Sequence, residues 1–280
     1  MVRWKGRRRS SNVIDLRGRG AKGAALGCGP ILVILLALLF GVDPSQLLAL
    51  FGDGASAPAP AEAPAGAPAE APRDDAGEFV SVILADTEET WHALFPQGGY
   101  REPELVLYDG TVRSACGLNS AATGPFYCPP DRRVYLDTSF FRYLQRLGAP
   151  GDFAVAYVIA HEIGHHVQNL QGTLQEVSQY QRQLPPADAN ALSVRTELQA
   201  DCYAGVWAHY AEAERDLLEA GDVEEGLRAA AAVGDDHLLE RAGQPVRPDA
   251  FTHGTSAQRM EWFRRGLETG DPAACDTFQR

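Results

Sequence analysis

Asp152 to Gly172 reads DFAVAYVIAHEIGHHVQNLQG, an apolar helical pattern into which His161, Glu162 and His165 are set. A run as apolar as Phe153 to Ala160 belongs in a core, and polar groups carried into a core cost free energy unless something engages them. Residues four apart on a helix project from one face, so both imidazoles can reach a single metal ion with Glu162 beside its open position, the H-E-x-x-H arrangement of zinc sites. Histidines satisfied by ordinary core hydrogen bonds are the competing reading. A zinc site with an open position uses three protein ligands, so another element must supply the third. No histidine continues the helix at the required spacing, because after His166 the next is His209. Glu197 and Asp201 stand four apart in ELQAD, which makes Glu197 the expected third ligand. Asp201, one turn on, can accept the free N–H of a ligand histidine and fix its tautomer. His166 is ~100° around the helix from His165 and reads as a neighbour, not a ligand.

Ahead of this helix the chain changes character three times. Residues 1–22 hold eight Lys or Arg and one acid, Asp15, a charge of +7 within a chain of net −12, so the remainder carries −19. A domain that acidic repels phosphate backbones, which argues against nucleic acid as a partner. Residues 23–42 carry no charge and are densest at Ile31 to Phe40, long enough to span hydrocarbon as a helix. The basic residues before them predict a cytoplasmic tail, 1–22, and an uncleaved transmembrane helix, 23–42, with the lipid bilayer as a partner and everything after Val42 outside the cytoplasm. Residues 43–77 read as a linker, in which 52–77, rich in Ala and Pro, lack side chains for a core and reach roughly 80 Å when extended. The domain proper is then 78–280.

Four cysteines follow Cys28: Cys116, Cys128, Cys202 and Cys275. An even number suits disulfides in an oxidising compartment, periplasmic or cell-surface, and no C-x-x-C supports a cysteine zinc site. Of three possible pairings, Cys116 with Cys128 closes a short polar loop, leaving Cys202 with Cys275.

Apolar spacing predicts a helix over Glu78 to Phe95. Glu104 to Tyr108 and Thr111 to Cys116, separated by Asp109-Gly110, read as a hairpin. Phe126 to Cys128 and Arg133 to Asp137 complete a small, mainly antiparallel sheet. Helices are expected over Phe140–Leu147, Asp152–Leu170, 191–218, 223–233 and 256–268, with capping boxes at Asp222/Glu225 and Thr255/Gln258. Strands first and helices after make an α+β domain.

Taken together, LADTEETW (84–91), SACG (114–117), GPFYCPPD (124–131), the HEIGH helix, ELQADCYAGVW (197–207), FTHGTSAQR (251–259) and CDTF (275–278) resemble the bacterial YpfJ-like neutral zinc metallopeptidases along nearly the whole chain. The resemblance implies a zincin-like domain with one zinc per chain. It implies His161, His165 and Glu197 as ligands, Glu162 as the general base, and a peptide or protein substrate. Such an enzyme lays its substrate along a sheet edge, either the strand near Tyr135 or that of Phe126 to Cys128. His253, on a Gly-containing loop just before a capped helix, is either a donor to the oxyanion formed on hydrolysis or part of the cap; the resemblance favours the donor. A zinc-bound, non-catalytic interaction module is the alternative function. Oligomeric state is left open.

Overall fold

Strands whose side chains are apolar on both faces need cover on both faces, and this explains most of the architecture. The computed structural model describes residues 1–18, 61–62, 72, 74–95, 98–120 and 123–279 of the 280-residue chain. Among these, β1 (Val13–Asp15), β3 (Glu104–Tyr108), β7 (Arg133–Asp137) and β6 (Phe126–Cys128) form a four-stranded sheet in that order. β3 lies parallel to β1 on one side and to β7 on the other, with Leu105 opposite Val13 and Val134. β6 pairs antiparallel with β7 and forms the sheet's edge.

The alternation along β3 is two-sided. Leu105 and Leu107 join the main core with helices α1 (Asp75–Leu94) and α3 (Asp152–Gln171), whereas Val106 and Tyr108 join a second cluster with Ile14, Val112 and Tyr135. A strand buried on both faces is the habit of parallel sheets, which corrects the expectation of a mainly antiparallel sheet. The hairpin expectation also fails. β4 (Thr111–Ser114) leaves the first sheet and pairs antiparallel with β5 (Gly117–Ser120), and β2 (Ala61–Glu62), inside the segment read as linker, pairs with β4. Asp109-Gly110 does make a tight turn, but Asp137 takes the Gly110 N–H at 2.9 Å and sends β4 away from β3.

The remaining helices are α2 (Phe140–Leu147), α4 (Thr173–Gln181), α5 (Pro186–Ala213), α6 (Asp222–Ala232), α7 (Asp235–Arg241) and α8 (Ser256–Thr269). The fold is α+β, as expected, but α4 and α7 were not anticipated. Both are short and have little apolar periodicity. α1 begins at Asp75, with Asp74 accepting the Gly77 N–H, so the linker gives way to the domain a few residues before 78. Thr255 and Gln258 form the expected capping box on α8. Asp222 and Glu225 do not form one: Gly221, at φ +99°, is the N-cap of α6, and the two acids point elsewhere. Disulfides join Cys116 to Cys128 and Cys202 to Cys275.

The basic N-terminus is not a separate tail. Val2 and Trp4 are buried in the main core, Trp4 packs edge-on against Phe79, and β1 is a full member of the sheet. Its cations find the domain's acids: Arg3 pairs with Asp216, Arg8 with Glu88 at 3.0 Å, Arg9 with Glu78, and Arg17 with Asp74 at 2.8 Å. This corrects the expectation that a bilayer separates residues 1–18 from the domain, since a single crossing between them would require β1 to leave β3. The expected span, 23–42, lies outside the described residues. Among those described, no helix is long and apolar enough to cross a membrane.

Candidate metal centre

α3 carries the histidines and α5 the acids, and a glycine lets the two helices meet. A Cβ on Gly164 would stand 3.0 Å from the Ala200 Cα and carbonyl oxygen, closer than ordinary packing allows, so the fourth residue of HEIGH must be small. At that approach His161 Nε2 is 3.1 Å from Glu197 Oε2, and His165 Nε2 is 3.4 Å from Glu197 Oε1. One ligand atom from each of the three residues lies within 4.8 Å of the others. Tetrahedral zinc with bonds of about 2.0–2.1 Å places neighbouring ligand atoms about 3.3 Å apart, a spacing that the two histidine–glutamate separations match.

The far nitrogens of both imidazoles are committed. His161 Nδ1 lies 2.8 Å from Asp201 Oδ1, and His165 Nδ1 lies 2.8 Å from Gln168 Oε1. The Gln168 amide donates to the Thr196 carbonyl and to Gln199 Oε1, which turns its oxygen toward His165. With each Nδ1 committed in this way, Nε2 is the atom that each ring turns toward Glu197. Asp201 is completely buried and is held by Arg259, whose Nε and Nη2 donate to its two oxygens at 2.8 and 2.9 Å; the Tyr157 hydroxyl donates to it as well. Burial works against charge on Asp201, but Arg259 and His161 outweigh it and hold the carboxyl below its usual range. Burial likewise opposes charge on Glu197, yet the two imidazoles hold it well below the carboxylate range. Sequence reasoning missed Arg259, Tyr157 and Gln168. Tyr157 and Gln168 could have been found as the i−4 and i+3 neighbours of the two histidines; Arg259 arrives only through folding, where the Gly205–Gly266 contact brings α8 onto α5.

Glu162 is buried, and burial pushes its carboxyl up. It has no hydrogen-bond partner among the described residues, and it faces a cleft of about 990 Å3 that His161, His165, Glu197, His253 and Tyr127 also line. His253 is half exposed there. Its Nδ1 is 3.0 Å from Asp235 Oδ1, while Asp235 Oδ2 accepts the backbone N–H groups of Thr252, His253 and Gly254. That hydrogen bond to Asp235 raises the imidazole's pKa. The α8 cap is made by Thr255 and Gln258 without His253. His166 points away from the centre. Burial lowers it to about 4, and the neutral ring is held by the Tyr127 hydroxyl at 2.9 Å and by the Arg101 carbonyl at 2.6 Å.

Residues 2–278 match the protein family described as "Putative neutral zinc metallopeptidase". The chain is 46% identical over 291 residues to the "Uncharacterized protein YpfJ" of Escherichia coli strain K12, covering 99% of each. It is 41% identical over 258 residues to "Uncharacterized protein Mb2605" of Mycobacterium bovis, covering 86% of this chain and 85% of that one. No solved structure matches it. The match along almost the entire length and the paired His and Glu donors lead to one assignment: the chain belongs to the neutral zinc metallopeptidase family.

Proposed function

We propose that this chain is a peptidase in which His161, His165 and Glu197 hold one zinc ion and Glu162 is the general base. Glu162 carries the reading: a buried carboxylate without a structural partner, one residue from a ligand histidine and open to a cleft, has a cost with no return except chemistry. Zinc, when bound, lowers the pKa of its water toward 7 and polarises the scissile carbonyl. Glu162 takes the proton of the attacking water and hands it to the departing amine, and burial, by raising its pKa, suits it to both steps. Asp201 and Gln168 keep the imidazoles oriented with Nε2 toward Glu197 and the proposed ion. His253, oriented by Asp235, donates to the oxyanion that forms as the carbonyl is attacked.

The substrate backbone adds to β6. Tyr135 sits in β7, an interior strand, whereas β6 has one edge unpaired among the described residues, and Phe126 and Tyr127 line the cleft. His166 and Asn169 anchor the Tyr127 hydroxyl, tying that edge to α3. The two disulfides support folding of the domain in an oxidising compartment. The uncharged run 23–42 keeps the bilayer as a proposed partner.

Glu162→Gln tests this reading against a non-catalytic zinc module. The variant is expected to retain one zinc by metal analysis and to lose at least ~100-fold in turnover on a denatured-protein substrate, while Glu197→Ala loses zinc. Equal turnover by Glu162→Gln and the parent would leave the interaction module standing.

A further inference from the structure

The cleft does not end at the metal centre. Asn169 and Leu170, one turn of α3 beyond His165 and so about 6 Å further along the helix axis, line a second cavity of about 410 Å3. Pro129, the residue that follows β6, forms part of the wall of both cavities, so a peptide laid along β6 past Cys128 is led from one into the other. Arg101 and Arg132 line the second cavity, and no acid among the described residues does. Both arginines are exposed, and neither meets a carboxylate among the described residues. The acids next to them in sequence are engaged elsewhere. Glu102 takes the His92 ring at 2.9 Å and the Asn12 amide at 2.6 Å, while Asp131 accepts the Ala115 N–H and the Tyr135 hydroxyl, each at 2.9 Å. Arg133, one residue on, shows the contrast, since it pairs with Glu104 at 2.7 Å.

The two loops that carry these arginines are fixed to the cleft. The Arg101 carbonyl faces His166 Nε2 at 2.6 Å, and Arg132, at φ +56°, donates its N–H to the Cys128 carbonyl at 2.9 Å. His166 and Asn169 in turn hold the Tyr127 hydroxyl of β6. In a chain of net charge −12, a cavity whose only charged lining residues are cations reverses the local field and attracts anions.

We propose that this second cavity is a specificity subsite for a carboxylate of the peptide substrate, with Arg101 and Arg132 as its donors. The inference rests on the peptidase reading and narrows the substrate class to peptides with a negative charge a few residues from the scissile bond. A guanidinium presents paired N–H donors that match the two oxygens of a carboxylate, and such a contact at the end of a strand-like ligand also sets its register. The acidic remainder of the domain repels the same peptide, so the arginines decide where it can dock. Two sources supply this chemistry: the side chain of Glu or Asp, and the C-terminal carboxylate.

Binding of dye-labelled peptides to the zinc-loaded, full-length Glu162→Gln chain tests the subsite without turnover. One set of peptides is blocked at both ends and carries a single Glu scanned through a background of Gln and Leu. A second set has no acid and ends in a free carboxylate or an amide. By fluorescence anisotropy, Glu at one position or the free C-terminus is expected to bind ~10-fold tighter than its neutral counterpart, the scale of a charge-assisted hydrogen bond. The set that shows the gain identifies the source. Arg101→Gln combined with Arg132→Gln should abolish the gain, either single variant serving if the pair does not fold. Arg132→Glu should reverse it, with the Lys-bearing or amidated peptide now preferred to the carboxylate, a response that an arginine with only a structural role would not give. Equal affinity for charged and neutral peptides throughout both sets, or a gain that survives loss of both arginines, would overturn the proposal. Turnover by the parent chain separates this inference from the reading beneath it. Charge-selective binding without cleavage would sink the peptidase and keep the carboxylate site, whereas cleavage without charge preference would do the reverse.

Discussion

His253 stands on a loop, yet the loop is not loose. Asp235, eighteen residues earlier, accepts three consecutive backbone N–H groups and the imidazole Nδ1, so one carboxylate sets both the turn and the ring. A donor to the oxyanion needs that kind of preorganisation, because its contribution is greatest when it need not move as charge develops. His253→Ala is expected to cost ~100-fold to 1,000-fold in turnover while zinc content stays at the parental level. Asp235→Asn keeps an acceptor for the backbone and weakens the hold on the ring, so a smaller loss should accompany it. Steady-state kinetics with a thermal melt of each variant decides the matter; turnover per folded His253→Ala molecule equal to the parent's would remove this residue from the chemistry. At Asp201 the logic is different. An acid completely buried beside His161 needs a permanent counter-charge, and Arg259 supplies it through two hydrogen bonds.

Helix contacts decide whether these residues meet. α3 and α5 touch at Gly164, and α5 and α8 touch where Gly205 faces Phe263 and Gly266 faces Cys202. The Cys202–Cys275 disulfide, 73 residues apart in sequence, closes the same corner and stabilises it by about 4 kcal/mol on the chain-entropy estimate. Gly164→Ala adds a methyl at the closest point. Helix propensity favours alanine by about 1 kcal/mol, but the clash with backbone atoms of Ala200 costs more, typically 1–3 kcal/mol. The expected outcome is a lower Tm together with weaker zinc binding, since Glu197 is displaced from the imidazoles. Competition with a chromophoric chelator measures the second effect, and an unchanged zinc affinity would show that the ligands adjust independently of this contact.

Across the molecule, the basic N-terminus and the acidic remainder are complementary parts of one surface. A +7 segment beside an uncharged run reads as a topological signal, but the same arginines are those paired with Asp216, Glu88, Glu78 and Asp74. Individual exposed pairs contribute little; the burial of Val2, Trp4, Val13, Ile14 and Leu16 is what makes the arm part of the domain. Residues 9 and 78, an ion pair in the structure, should therefore lie in the same compartment in living cells. With Arg9→Cys and Glu78→Cys in the full-length chain, a short bis-maleimide should join the two within one molecule. No cross-link in cells, with efficient cross-linking of the purified protein, would mean that the arm and the domain are held on opposite sides of a membrane.

Patterns confined to one segment were legible in the sequence. The i,i+4 histidines, the acids at 197 and 201, the capping box at Thr255 and the spans of β3, β7 and α3 all follow from side chains a few residues apart, where helix or strand geometry sets the spacing. Pairings between distant segments were not legible. Thr111–Ser114 leaves its neighbour because Asp137 captures the turn, and Asp222 and Glu225 share capping-box spacing but accept the backbone N–H groups of Glu219 and Phe153. Arg259 has no periodic relation to Asp201, and the basic arm carries the same charges whether it meets lipid headgroups or carboxylates. Charge and apolar period state what a segment needs from its surroundings. Which partner meets the need depends on which surfaces the packed core brings within a few ångströms, and that was decided only by the tertiary structure.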